Sequence, residues 1–272
     1  MEIELKNIKY EKNNELLLNN INITFQNQKI TSIIGPSGSG KSLIGYLLVN
    51  LIKETDGIIR IDGKRNYDIN KIKKSIGYVF QQPEICFFNK TVYEELSYSI
   101  ENFNYKLEKK EKRISELLKI VGLKEEVLPK SPNELSSGEK ELLGIALSLT
   151  LNPKVIILDE PTVYLDSKNK KNLIKLLKRL KREYQKTVIV ISNDINFIYE
   201  ISDNIVLINN GEVKLSINCK ELNNYYKVLK ENNMEVPLIL EFINLVKEEK
   251  NINLSSTNDI NELIKEIYRN VR

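Results

Sequence analysis

The 272-residue sequence contains no histidine, and its two cysteines, Cys86 and Cys219, lie far apart without a C-x-x-C pair. Neither a disulfide framework nor a zinc site is indicated, and a reducing cytosol fits best. No apolar stretch approaches the length of a membrane span and the amino terminus is charged, so we expect neither integral insertion nor secretion. The net charge of +4 is small, and basic residues are scattered among nearly as many acids, which gives no case for a nucleic-acid partner.

The segment 35–42 is the most informative part of the chain. It fits the pattern G-x-x-x-x-G-K-[ST] at every fixed position, and it follows an apolar run, 30–34, that predicts a strand. In this pattern, backbone N–H groups turn onto phosphate oxygens, Lys41 supplies a charge for the outer phosphates, and Ser42 offers its hydroxyl to Mg²⁺. The sequence therefore predicts a nucleoside triphosphate site built by Gly35, Pro36, Ser37, Gly38, Ser39, Gly40, Lys41 and Ser42.

Continuous apolar runs predict the centre of the fold. The runs 76–80, 155–158 and 187–191 have the composition of parallel strands covered on both faces, and a helical pattern near 173–180 separates the last two. Alternation of strands with helices indicates an α/β fold with a parallel sheet.

Four further segments predict strands at the margins of this core. Segments 3–8 and 21–25 alternate apolar with polar residues, and we expect an Asn-rich loop between them. Segment 57–63 predicts a short strand closed by a turn, and 204–215 predicts a hairpin.

The chain then divides into a core, an insert and an extension. We expect the α/β core to cover 1–215, with a helical insert at about 84–150, and a helical extension at 216–272. The extension carries two apolar stripes at helical spacing, which either the core or another protein must cover. The stripes are formed by Leu238, Phe242 and Leu245, and by Ile260, Leu263, Ile264 and Ile267.

Two acids follow the apolar run 155–158. Asp159 and Glu160 lie at the carboxyl end of a predicted buried strand, where open α/β sheets place their ligand sites. We expect Asp159 to hold Mg²⁺, directly or through water. Glu160 is predicted to orient and deprotonate a water for attack on the γ-phosphate.

The segment Leu135–Glu139, Leu-Ser-Ser-Gly-Glu, precedes a long helical pattern and is called the signature segment below. Its residues predict a capping box, in which Ser136 caps the amide of Glu139 and Glu139 reaches back to the Ser136 amide. The same geometry presents a positive helix end and free amides to an anion.

These three motifs in this order resemble the ATP-binding cassette (ABC) ATPases, whose signature sequence is Leu-Ser-Gly-Gly-Gln. The resemblance implies a P-loop NTPase core with a helical subdomain, and two cassettes that enclose two ATP molecules head to tail. Each nucleotide would contact the P-loop of one chain and the signature of the other, where Ser136 and Gly138 match the positions that face the γ-phosphate. It further implies that Gln81 links magnesium to a transmembrane partner and that the segment ending in Asp166 crosses the dimer.

The extension resembles that of the energy-coupling-factor (ECF) ATPases of micronutrient importers. Val236-Pro237, Phe242, Leu245 and the segment 259–263 carry this resemblance, together with 80–84 and 131–136. It implies uptake of a vitamin or metal ion by an assembly of two related ATPases, a transmembrane coupling protein and a small substrate-binding membrane protein. The chain would then be peripheral, at the cytoplasmic face of the membrane.

The sequence departs from the family at the switch position, where the family places a histidine and this chain has Asn193. An amide can bind phosphate but cannot become cationic, so we expect transition-state stabilisation to be weaker by about 1.5–3 kcal/mol, the value of a charge-assisted bond. Its own ATP site is therefore expected to be slow. Ser137 also replaces a glycine of the signature, and Glu139 replaces its glutamine.

The adenine-stacking residue stays open between Tyr10, which is nearby, and Lys12, on which the family's position falls. The apolar run 85–88 offers side chains either to the core or to a partner helix.

We expect this chain to be one half of an unequal ATPase pair. The alternatives are an ATPase subunit of another ABC transporter, a soluble ABC ATPase and a nucleotide-binding regulatory module.

Overall fold

The computed structural model describes residues 1–65, 72, 74–102, 109–250, 252, 254 and 260–270. Their strands form two sheets, one of three strands in the order β2-β1-β4 and one of six in the order β5-β6-β7-β3-β8-β9. The strands are β1 (Ile3–Lys12), β2 (Glu15–Phe25), β3 (Ile30–Ile34), β4 (Asp56–Ile61), β5 (Ile76–Val79), β6 (Val155–Asp159), β7 (Thr187–Ile191), β8 (Asn204–Asn209) and β9 (Glu212–Asn218).

The six-stranded sheet is parallel from β5 to β8, and β9 returns antiparallel to β8. Every residue of β3, β6 and β7 is buried. This burial explains the continuous apolar runs from which these strands were predicted, because both faces of the sheet are covered. The predicted α/β fold with a parallel sheet is confirmed.

The predicted Asn-rich loop between β1 and β2 is wrong, because the two strands form one long antiparallel hairpin. Asn13 and Asn14 form its two-residue turn with φ of 53° and 62°, as a turn with two left-handed residues requires. Asn7 and Asn20 also have positive φ, and the register of the hairpin shifts near them. The asparagines therefore make a turn and bulges inside strands.

The helices of the described part follow the strands and fill the insert. They are α1 (Lys41–Leu48), α2 (Val92–Asn102), α3 (Lys110–Val121), α4 (Ser137–Ser148), α5 (Ser167–Arg182), α6 (Ile195–Ile201), α7 (Tyr226–Glu231), α8 (Leu238–Lys250) and α9 (Ile260–Asn270). Helices α2 to α4 lie within 84–150, the range for which a helical insert is predicted. Within the described residues, no helix combines the length and apolar character needed to cross a membrane.

The extension packs on the core through residues that match the predicted stripes only in α9. Leu240 and Ile243 of α8 are buried in the same hydrophobic cluster as α6, whereas Leu238, Phe242 and Leu245 are exposed. In α9, Leu263 is buried and Ile264 is exposed. Asp259 and the side chain of Ile260 lie outside the described part. Together α6, α8 and α9 border an apolar groove of about 520 Å³, lined among others by Leu238, Phe242 and Ile264.

Candidate active site

The loop 35–42 connects β3, in the middle of the parallel sheet, to the start of α1 at Lys41. Gly38 and Gly40 have φ of 78° and 97°, which side chains other than glycine rarely adopt. A Cβ at Gly35 would lie 1.9 Å from the carbonyl oxygen of Ile208, and one at Gly40 would lie 2.8 Å from the Leu18 side chain. These contacts explain why the loop needs glycine at the positions that the motif fixes.

Lys41 lies beneath this loop and is only 7% exposed. Its ammonium donates to the carbonyl oxygens of Gly35 and Pro36, at 2.7 and 2.8 Å. Burial lowers the pKa of Lys41, while the carboxylates of Glu160 and Asp159 oppose that shift. The cation is thus fixed beside two acids at the edge of the sheet.

Asp159 is the last residue of β6, and both of its carboxylate oxygens accept hydrogen bonds. The Ser42 hydroxyl donates to Oδ1 at 3.2 Å, and the Tyr78 hydroxyl donates to Oδ2 at 2.8 Å. Burial raises the pKa of Asp159, and these two bonds and Lys41 oppose the rise. Hydroxyl and carboxylate oxygens are the ligands that Mg²⁺ prefers, so the pair Ser42 and Asp159 fits that ion.

Glu160 follows with a left-handed backbone, φ 47°, which is uncommon for a residue other than glycine. Its N–H donates to the carbonyl of Ile191 at 2.7 Å. The carboxylate accepts from the Ser192 hydroxyl at 3.1 Å and from the Asn193 backbone N–H at 3.2 Å. Burial raises the pKa of Glu160, against the effect of these donors. Backbone strain of this kind concentrates at functional sites, and here it turns the second acid towards the switch position.

A cleft of about 640 Å³, called the phosphate cleft below, collects most of the predicted residues. Gln81, Glu160 and Asn193 line it together with loop residues 37–42. Asp159 is not among the lining residues but accepts a hydrogen bond from Ser42, which is. Lys170 of α5 also lines it and forms an ion pair of 2.7 Å with Asp194. The structure therefore brings the loop predicted to bind phosphate, the oxygen pair of Ser42 and Asp159, and the carboxylate of Glu160 together at one cleft.

The signature segment and Asp166 are not among the residues that line the phosphate cleft. Ser136 is exposed, and the predicted capping box is present: its Oγ accepts from the Glu139 N–H at 3.3 Å, and Glu139 accepts from the Ser136 N–H at 2.9 Å. Asp166 caps α5 by accepting from the Asn169 N–H at 2.7 Å. A Cβ at Gly138 would lie 2.8 Å from the Asn169 amide nitrogen, so the starts of α4 and α5 are in close contact.

Tyr10 and Lys12 both lie on β1, near the turn of the hairpin. Tyr10 is half-buried and opposite Leu18, Lys12 is exposed and opposite Glu15, and neither is among the residues that line the phosphate cleft.

Sequence reasoning missed Ser192 and Tyr78, the donors to Glu160 and Asp159. Tyr78 is 81 residues from its acceptor and Ser192 is 32 residues from its own. The available signal was the set of apolar runs 76–80, 155–158 and 187–191, which predict parallel strands whose carboxyl ends meet at one edge of a sheet. The order of these strands, which makes them neighbours, is not part of that signal.

The family model described as ABC transporter matches residues 18–163, more than half of the chain. The chain belongs to the ABC transporter family. It is 34% identical over 233 residues to an energy-coupling factor transporter ATP-binding protein, EcfA2, of Ligilactobacillus salivarius, covering 84% of this chain and 81% of that protein. It is also 33% identical over 271 residues to EcfA1 of Mycoplasma mobile, covering 98% and 96%.

Solved structures agree with this membership in the ABC transporter family. One is cbiO1 of Clostridium perfringens, described as part of the ABC transporter complex cbiONQ, with a TM-score of 0.77 and 31% identity over 89% of this chain and 98% of that one. Another is a dimeric ATP-binding cassette bound to ADP and Pi, with a TM-score of 0.71 and 34% identity over 80% and 98%. The chain is therefore an ABC ATPase like the ATP-binding subunit of ECF transporters.

Proposed function

We propose that this chain binds and hydrolyses ATP as one of two unequal ATPase subunits of an ECF-type transporter, which takes up a vitamin or a metal ion. The observation that carries the proposal is the phosphate cleft. It joins Lys41, the pair Ser42 and Asp159, and Glu160 within one chain, while Ser136 is not among the residues that line it.

In this proposal the loop amides and Lys41 bind the phosphates of ATP, and their N–H groups and charge match phosphate oxygens. Ser42 and Asp159 hold Mg²⁺, with Gln81 as a further ligand; the ion, when bound, neutralises charge on the phosphates. Glu160, held by Ser192 and the Asn193 N–H, orients a water and accepts its proton. Asn193 contacts the γ-phosphate through a neutral amide, so this site is slow.

The signature segment serves the nucleotide of a second cassette. Ser136 and Gly138 stand at the amino-terminal end of α4, where the helix presents a positive end to an anion. Asp166, exposed at the start of α5 and close to Gly138 through Asn169, lies on the same surface. A head-to-tail pair brings this surface to the partner's P-loop, which agrees with the absence of Ser136 and Gly138 from the lining of the phosphate cleft.

The pair is unequal because this chain departs from the family pattern at the switch position and in the signature segment. A partner ATPase can supply a standard copy of each. Asn193 weakens the site formed by this chain's P-loop, and Glu139 brings a carboxylate near the phosphates of the partner's site. Hydrogen bonds from Ser136 hold that carboxylate and lower the pKa of Glu139. A second, related ATPase with standard residues at these positions offsets both changes.

The remaining partners are the coupling protein in the membrane and the small substrate-binding membrane protein, with this subunit peripheral at the cytoplasmic face. Ile85 and Phe88 follow Gln81 and are 68% and 65% exposed, a suitable contact for a transmembrane partner. The apolar groove of the extension is suitable for the second ATPase. Relatives named EcfA1 and EcfA2 support a pair of this kind.

Co-purification of the tagged full chain from native membranes in mild detergent tests this function. We expect a second, different cassette ATPase and a coupling protein, identified by mass spectrometry, with one or more small membrane proteins. A conventional permease pair would favour another ABC transporter, and ribosomes or no partner would contradict a transport role.

A further inference from the structure

Tyr78 is the donor to Asp159 that does not line the phosphate cleft. Ser42 lines the phosphate cleft and bonds Oδ1, whereas Tyr78 is not among the lining residues and bonds Oδ2 at 2.8 Å. Tyr78 lies on β5 opposite Ile157 of β6. Since side chains alternate along a strand, Ile157, Asp159 and the paired Tyr78 share one face of the sheet.

The surroundings of Tyr78 fix the position of its ring. The ring centroid lies 4.8 Å from that of Phe80 and 5.7 Å from that of Tyr46. Gly45 of α1 leaves space for it, because a Cβ there would lie 2.9 Å from the Tyr78 ring and 3.1 Å from its hydroxyl oxygen. A ring held from three sides presents its hydroxyl to Asp159 in one place.

We propose that Tyr78 is a positioning residue that holds Oδ2 of Asp159, so that Oδ1 faces Ser42 and the Mg²⁺ site. The inference rests on the proposed ATPase function. Ser42 and Asp159 are both expected to turn to the ion, and their mutual hydrogen bond is then lost. The bond from Tyr78 comes from the opposite side of the carboxylate and persists, so it orients Asp159 whether or not the ion is bound. Partners of this kind orient metal-binding carboxylates in many sites.

Tyr78→Phe tests the role of the hydroxyl, because it removes that group and keeps the ring. Binding of a fluorescent ATP analogue to the full chain is measured first in EDTA and then during a titration with Mg²⁺. We expect unchanged affinity in EDTA and a rise of about tenfold in the Mg²⁺ concentration for half-maximal effect, the lower end for loss of such a partner.

Tyr46→Phe is the matched control. It removes a hydroxyl from the same aromatic cluster. Within the described residues the side-chain donors to Asp159 are Ser42 and Tyr78, so this hydroxyl is not one of them. The control should titrate with Mg²⁺ as the unaltered chain does.

Three results would overturn the inference: no change in the Tyr78→Phe titration, an equal change in both variants, or a loss of affinity already present in EDTA. The last two results would indicate that Tyr78 acts only through the packing of its ring. Failure of the unaltered chain to bind the nucleotide would instead contradict the proposed function itself.

Discussion

In the proposed function the phosphate cleft and the signature segment are the two halves of an ABC nucleotide site, and this chain builds them differently. In the cleft, hydrogen bonds connect residues distant in sequence: Ser42 and Tyr78 to Asp159, and Ser192 to Glu160. In the signature segment, Ser136 and Glu139 bond each other within one turn of a helix. The first half depends on the tertiary fold, whereas the second is a local helix start on the surface. Breaking each half should therefore give a different kind of defect.

The largest effect is expected from Glu160→Gln. Glutamine keeps the shape and still accepts from Ser192 and the Asn193 N–H, but it cannot take a proton from water. Turnover at this chain's own site, measured in the assembled pair with the partner's site disabled, should fall about 10²–10⁴-fold. Binding of ATP should be unchanged, and turnover close to that of the unaltered pair would contradict the role of Glu160 as base.

Asn193→His should act in the opposite direction. The backbone N–H that bonds Glu160 is retained, so the variant changes only the side chain that faces the phosphate cleft. A charge-assisted bond in place of a neutral one should raise turnover at this site by about tenfold or more. Asn193→Ala serves as the control for side-chain loss, and a histidine variant no faster than the alanine variant would refute the explanation for slow turnover.

Ser136→Ala separates the signature role from helix capping. The neighbouring Ser131 forms a second capping box with Glu134, so Ser131→Ala is a matched control that removes a cap alone. Each should cost about 1 kcal/mol in the free energy of unfolding. We expect only Ser136→Ala to lower turnover at the partner's site, by about tenfold. Equal turnover in the two variants would limit Ser136 to capping.

The last effect concerns stability rather than turnover, at Glu141 on α4, two residues beyond the signature segment. Burial, and then the charge of Glu84, raise the pKa of Glu141 to about 8. A carboxyl whose pKa is raised in the folded state contributes stability that is present below its unfolded pKa and is lost as the pH rises through about 8. Glu141→Gln should thus raise the melting temperature more at pH near 8 than at pH near 5, in thermal unfolding followed by circular dichroism. An equal shift at both values would contradict the burial of the charge.

The sequence predicted those parts of the molecule whose signal is local. The buried runs of β3, β6 and β7 and the capping box of Ser136 depend on neighbouring residues, and the structure contains them as predicted. The hairpin was missed because Asn13 and Asn14 were interpreted as loop residues, although a two-residue turn with positive φ favours asparagine.

Contacts between residues distant in sequence could not be predicted from the local pattern of apolar and polar residues. The donors Tyr78 and Ser192, and the left-handed backbone of Glu160, follow from the order of strands in the sheet. In the extension, the stripe of Leu238, Phe242 and Leu245 has helical spacing but lies on the exposed side. Spacing alone does not indicate which apolar face of a helix the core covers.

In the proposed function this chain holds half of each nucleotide site and needs a second cassette. The most direct test compares ATP turnover of the purified full chain alone with turnover of the complex recovered from membranes. We predict that the chain alone binds ATP but hydrolyses it at least about tenfold more slowly than the complex, because Asn193 and an unpaired signature both limit it. Fast turnover by the chain alone, abolished by Glu160→Gln, would contradict the claim.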